Sequence, residues 1–132
     1  KEISNDTKIK VGSTVKMDNL EIKYIKFNNK VTNYEEYEAP EKGEKYISVE
    51  FEFKNIGDND KYISYTDFKC YVDDYSVDNT YIGDDLLDAT LSKGKKAKGN
   101  VYFKVKGNYN EILIEYTPNF FIDSAKARFE CK

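Results

Sequence analysis

"KYISVEFEFKN", residues 45 to 55, decides how this chain folds. Ile47, Val49, Phe51 and Phe53 alternate with Ser48, Glu50, Glu52 and Lys54. A period of two puts the first set on one face of a strand and the second in water. The pattern repeats outward from there. In "NVYFKVKG" (100–107) Val101, Phe103 and Val105 share a phase, and in "EILIEY" (111–116) Ile112, Ile114 and Tyr116 do. "DFKCYVD" (67–73) gives Phe68, Cys70 and Val72, and "AKARFEC" (125–131) gives Ala125, Ala127, Phe129 and Cys131. In "LEIKYIKF" (20–27) Leu20, Ile22 and Tyr24 fall on one phase and Ile25 and Phe27 on the other, which a β-bulge reconciles.

Turn residues punctuate these runs at "MDN", "NIGDND", "SKGKKAKGN", "KGNYN" and "TPN". "VTNYEEYEAPEKGE" (31–44) is polar, holds Pro40 and Gly43, and reads as a long loop with room for one helical turn. No long amphipathic helix and no internal repeat is found. Short alternating strands joined by turns predict an all-β antiparallel sandwich or barrel with one wet face per sheet. The alternating positions are read as core, each fully buried Val, Ile or Phe contributing about 1.5–3 kcal/mol.

A chain of 132 residues suits one domain. We assign 1–12, which opens on the polar "KEISNDTKIKVG", to a tether and 13–132 to the domain. Aromatic residues make up 15%, too many for a disordered chain. The net charge is -3 and Arg128 is the single arginine, so no electrostatic footprint for nucleic acid exists. No apolar run is long enough to span a membrane. A monomer is expected.

Histidine is absent, as are GxSxG, Walker and GxGxxG motifs, so no enzyme and no cofactor are expected. Zinc is disfavoured, since neither histidine nor CxxC is present. Cys70 and Cys131 both sit on the apolar phase of a predicted strand. They are either inert buried thiols or, in an oxidising compartment, an inter-sheet disulfide; we expect the disulfide. The aspartates of "DFKCYVDDYSVDNTYIGDD" and "GDND" (57–60) lack the spacing of a calcium loop. "DDYSVDNTYIGDD" (73–85) is therefore expected to be a solvated loop after a strand ending near Val72, with no metal site. The run Lys93, Lys95, Lys96 and Lys98 reads as a solvated hairpin turn, or as a contact for an anionic surface. Tyr34 and Tyr37 in the long loop, with Tyr75 and Tyr81 after Val72, are the candidate partner-binding residues, because exposed tyrosines favour recognition.

Taken together, "KVGSTVKMDNLEIKYIKF", "KGEKYISVEFEFKNIGD", "DFKCYVDD", "TLSKGKKAKGNVYFKV" and "ILIEY" resemble the domain-of-unknown-function family 4352 over about residues 11 to 117. Val11-Gly12, Lys42-Gly43 through Asn55, Asp67-Phe68 and Gly94 through Phe103 match its motifs in order, while Lys93 stands where proline is common. The resemblance implies an immunoglobulin-like antiparallel β-sandwich similar to a small secreted mycobacterial antigen. It also implies a cell-surface or secreted location, with membrane attachment only through a lipid anchor upstream of Lys1. It transfers no catalytic residue. The function expected is a non-catalytic interaction module for a protein or cell-wall component; the alternatives are a structural spacer or a small-molecule or metal carrier.

Overall fold

The computed structural model describes residues 7–118 and 126–132. Its strands are β1 (Lys8–Ile9), β2 (Thr14–Met17), β3 (Leu20–Asn28), β4 (Glu44–Asn55), β5 (Lys61–Ser64), β6 (Phe68–Val72), β7 (Tyr75–Val77), β8 (Asn79–Thr80), β9 (Asp88–Leu91), β10 (Lys96–Lys106), β11 (Ile112–Tyr116) and β12 (Ala127–Glu130). They build an immunoglobulin-like antiparallel β-sandwich. The front sheet runs β2-β3-β4-β10-β8, the back sheet β1-β12-β11-β6-β7, and β5-β9 forms a small separate ribbon. The β1–β12 pair is parallel. The backbone of the front sheet is the long β4–β10 ladder, in register from Glu44 opposite Lys106 to Lys54 opposite Lys96.

The alternation in 45–55 has the expected consequence. Ile47, Val49, Phe51 and Phe53 are completely buried between the sheets. Phe51 is the hub, with Phe129 at 4.7 Å and Phe68 and Tyr24 each at 5.2 Å, ring centroid to centroid. Phe53 meets Tyr116 edge-on at 5.1 Å. Tyr24 crosses the sandwich, and its hydroxyl donates to the Glu130 carbonyl at 3.0 Å, so a phenol buried in the core keeps its hydrogen bond. The β3–β4 register shifts between Tyr24 and Lys26, the bulge that the two phases of "LEIKYIKF" require. Ala125 lies outside the described residues.

Asn55, at the end of β4, is fully buried and fully bonded. Its side-chain NH2 donates to the carbonyls of Asn59 and Leu91, both at 2.8 Å, and its Oδ1 accepts from the Gly57 N–H at 3.0 Å. One amide thereby ties the turn after β4 to β9.

Four expectations need correction. β1 and the N–H of Gly12, which donates to the Tyr24 carbonyl at 2.8 Å, place residues 8–12 in the sandwich rather than in a tether. Residues 73–85 are not one loop. Asp73 and Asp74, with φ of 49° and 72°, make a two-residue hairpin turn into β7, and the chain then crosses to the front sheet as β8. The turn at 92–95 is no hairpin, because β9 pairs with β5 and not with β10.

The fourth concerns the cysteines, which are unbonded. Both face the core, but from the same sheet. Cys70 pairs with Ile114 on β11, and the Cys131 N–H donates to Ile112 from the other side of β11. Two strand spacings across the sheet, with an offset of two residues along β11, put their Cα atoms about 12 Å apart, beyond the roughly 7 Å that a disulfide tolerates. Burial pushes both thiols up, Cys131 to about 12, which leaves them protonated and unreactive.

Candidate functional site: a tyrosine-walled cleft outside the front sheet

The outward phase of β4 and β10 carries Tyr46 and Tyr102, and both are buried. Two loops cover them. The first follows β3: Val31 donates to the Tyr46 carbonyl at 3.1 Å, and the Tyr34 ring packs on Tyr46 at 5.1 Å. This loop holds a single 3-10 turn, Glu36–Glu38, started by the Glu35 N–H donating to Glu38 Oε1 at 2.8 Å. The Tyr46 hydroxyl donates to the Glu38 carbonyl and so anchors the turn.

The second loop lies along the β10 edge. The Asn100 N–H donates to the Asp85 carbonyl at 2.8 Å, and the Leu87 N–H to the Asn100 carbonyl at 2.9 Å. Gly99 permits this approach: a Cβ there would stand 2.7 Å from Leu87 Cα. The Asp85 carboxylate accepts from the Tyr102 hydroxyl at 2.6 Å and from Asn100 Nδ2 at 3.0 Å. Burial, then the bond to Asp85, pushes Tyr102 up to about 12. Val31, Tyr46, Ile82 and Tyr102, with Tyr34 and Leu86 against them, make a second, smaller core on the face that the alternation assigns to water.

Between these loops opens a cleft of about 460 Å3, walled by Asn33, Glu35, Tyr37, Glu38, Tyr81 and Asp84. Tyr37 is 86% exposed and Tyr81 73%. Tyr81 rests edge-on against Tyr65 at 6.0 Å, which steadies its ring. The structure thus brings two of the four candidate tyrosines together. Tyr34 is instead a half-buried member of the cap, because its ring fills the space over Tyr46. Tyr75 is 77% exposed but sits on β7, in a different groove beside Lys104 and Lys106. Sequence reasoning missed Asn33, Glu35, Glu38 and Asp84; their one signal is proximity to Tyr34, Tyr37 and Tyr81 in polar loops.

The aspartates of 67–85 disperse. Asp73 accepts from the N–H groups of Glu111 (2.9 Å) and Asn110 (3.0 Å) and pairs with Lys106 at 3.2 Å. The Glu111 bond foremost holds its carboxyl below the usual range, and the role is to fasten the β10–β11 connection. Asp67 is pushed up by partial burial. Among the described residues no three cysteine or carboxylate side chains converge as metal ligands. Lys93 pairs with Asp58 at 2.9 Å, while Lys95, Lys96 and Lys98 are exposed.

Fold and surface define a β-sandwich domain with a loop-built cleft on one sheet. The chain belongs to the family described as Domain of unknown function (DUF4352), whose model matches residues 9–127. No curated protein matches it significantly. Among solved structures it is similar to the candidate lipoprotein ycdA of Bacillus subtilis, with TM-score 0.72 and 20% identity over 89% of this chain, which spans 37% of that one. It is also similar to the yjhA protein of Bacillus subtilis, with TM-score 0.72, 19% identity and coverage of 94% of this chain and 99% of that one. MPT63, a secreted protein of Mycobacterium tuberculosis, gives TM-score 0.68 and 15% identity over 95% of this chain and 98% of its own.

Proposed function

We propose that this chain is a non-catalytic recognition domain displayed outside the cell, lipid-anchored or secreted, which engages a protein or cell-wall partner through the cleft between residues 33–38 and 81–84. The observation that carries this reading is the cleft itself. Two loops are locked to an already complete sandwich by the Tyr102–Asp85 and Tyr46–Glu38 bonds, and they hold Tyr37 and Tyr81 in water beside one opening. Rigid loops on a stable scaffold are where binding residues collect, and exposed tyrosine supplies large contact area at small entropic loss. The external location is supported by the candidate lipoprotein and the secreted protein among the fold relatives. A non-catalytic role is supported by where the perturbed groups lie. The most strongly shifted tyrosines and thiols, Tyr24, Tyr116, Cys70 and Cys131, are in the main core and out of reach of substrate.

A spacer role is the second reading, favoured by the fact that the same fold makes up only part of the ycdA chain. The test is retention of the purified chain on cell-wall and surface-protein preparations. The double variant Tyr37→Ala/Tyr81→Ala should keep its melting temperature within about 2 °C, as expected for exposed side chains, and lose at least about tenfold in retention, the equivalent of 1.4 kcal/mol. Retention that is absent in the native chain favours the spacer; retention that is unchanged in the variant overturns the assignment of the contact to the cleft.

A further inference from the structure

Beside the cap, the outer face of the front sheet holds a small hollow of about 190 Å3 in which every lining residue is polar or charged. Two adjacent rows of the sheet line it. Asn28, Ser48 and Tyr102 stand side by side across β3, β4 and β10, and Lys26, Glu50 and Asn100 form the next row. Asn33 and Asp85, one from each covering loop, complete the wall. Both are held in place: Asp85 accepts from Tyr102 and from Asn100, and Asn33 bonds the same Tyr102 hydroxyl.

The groups left over in this lining alternate between donors and acceptors. Asn28 Oδ1 accepts the Lys30 N–H at 3.0 Å, which leaves its NH2 to donate. Asn100 Nδ2 is spent on Asp85, which leaves its Oδ1 to accept. Between them on β4 lies Ser48, only 6% exposed, and among the described residues no hydrogen bond engages its hydroxyl. Lys26 and Glu50 stand opposite each other in register, yet neither belongs to an ion pair among the described residues. A buried hydroxyl without a partner is costly. At the floor of an open polar hollow it is placed to be bonded from outside. An apolar ligand finds no wall here, an anion meets Glu50 and Asp85, and a metal ion meets Lys26. A neutral hydroxyl both donates and accepts, so it matches the mixed set without neutralising either charge. The volume lies below the roughly 300 Å3 at which drug-sized sites begin, which suits one ring rather than a chain.

We propose that this hollow binds a single neutral sugar ring, whose hydroxyls bond Ser48 and Glu50 at the floor, accept from Asn28 and donate to Asn100. The site is separate from the tyrosine-walled cleft, although Asn33 borders both, and it does not rest on the recognition reading above. A free monosaccharide and the terminal ring of a glycan offer the same hydroxyls and differ at the anomeric oxygen.

The test titrates the 15N-labelled chain with glucose, galactose, mannose and N-acetylglucosamine, and with glycerol, glycine and inorganic phosphate for comparison. At least one sugar should shift the amides of Asn28, Ser48, Glu50 and Asn100 saturably, and equally at low and at physiological salt, because no charge is neutralised. Ser48→Val, which puts methyl groups on the floor, should weaken that sugar at least about tenfold. Glu50→Ala, at a half-buried position without an ion pair, should weaken it several-fold while the rest of the amide spectrum stays native. Tyr37→Ala/Tyr81→Ala should leave the sugar shifts unchanged, and their loss in that variant would move the sugar to the cleft and overturn the proposal. So would the absence of saturable shifts with all four sugars, binding that survives both Ser48→Val and Glu50→Ala, or glycerol, glycine or phosphate binding as tightly as the best sugar. The methyl glycoside of that sugar decides the source: equal binding supports the end of a glycan, and loss supports the free monosaccharide.

Discussion

The two faces of the front sheet differ in how they are buried. Inside, Ile47, Val49, Phe51 and Phe53 meet the back sheet along the whole of β4. Outside, burial is confined to one half: Tyr46 and Tyr102 lie under two loops, while Lys23, Lys54, Lys96 and Lys98 of the other half lie open or half-open. The inner face is buried because the back sheet packs on it; the outer half is buried because hydrogen bonds to Asp85 and to the Glu38 carbonyl hold loops against it. The main core thus makes the fold, and the small outer core makes the cleft. Lys54 stands opposite Lys96 at the far end of the uncapped half, where like charges directly opposite are tolerated because water screens them.

The comparison predicts graded effects of substitution. Phe51→Ala removes the ring that touches Phe68, Phe129 and Tyr24, and should destabilise the whole domain by about 3–5 kcal/mol. Urea denaturation should show a lower midpoint with an unchanged slope. A loss under 1 kcal/mol would mean that the two sheets are held by something other than this aromatic stack.

Tyr102→Phe should act more locally. It leaves Asp85 without its shortest bond inside the cap, and about 1–2 kcal/mol should be lost. Amide exchange should quicken at 82–87 and remain slow in β4 and β11. A pH dependence distinguishes the bond from simple packing. The folded Tyr102 titrates near 12, above its ordinary 10.0, so its contribution is complete below pH 10 and is lost as the pH rises towards 12. The variant should lack that share of the alkaline loss, which paired melting curves at pH 9 and pH 11 would reveal. Equal alkaline loss in both proteins would assign it to the other groups that are pushed up, Tyr24, Tyr62, Tyr109, Tyr116 and the two thiols.

The smallest effects compare neighbours in one loop. Tyr34→Ala should lower stability by about 1 kcal/mol through its lost contact with Tyr46, whereas Tyr37→Ala should change it by less than about 0.5 kcal/mol. Thermal melts of the two variants side by side would check this. Equal losses would place Tyr37 in the cap and close the cleft.

Most of the sandwich was legible in the residues themselves. A strand with one face on the core and the other towards water must alternate, so β3, β4, β6, β10, β11 and β12 declare themselves, and the broken phase in 20–27 declares the bulge. β7 and β8 do not. They are short edge pieces, with Tyr75 and Ser76 exposed and Asn79 and Thr80 half-covered, so no hydrophobic period marks them. Half of the site was legible. Tyr37 and Tyr81 look like surface aromatics in polar loops, but they are 44 positions apart in the chain, and nothing local says that they share an opening.

By itself the sequence determined the sandwich, its inner core and the absence of any charge excess for nucleic acid, because these follow from short-range alternation and composition. It also determined that Cys70 and Cys131 point inward. Only the tertiary structure decided that they sit in one sheet with β11 between them, which separates their sulfur atoms' backbones beyond disulfide reach. Likewise only the tertiary structure decided that Tyr34 is packed while Tyr37 and Tyr81 are exposed. Side-chain phase is a local property of the backbone, whereas sheet membership and loop docking depend on pairings between residues far apart in sequence.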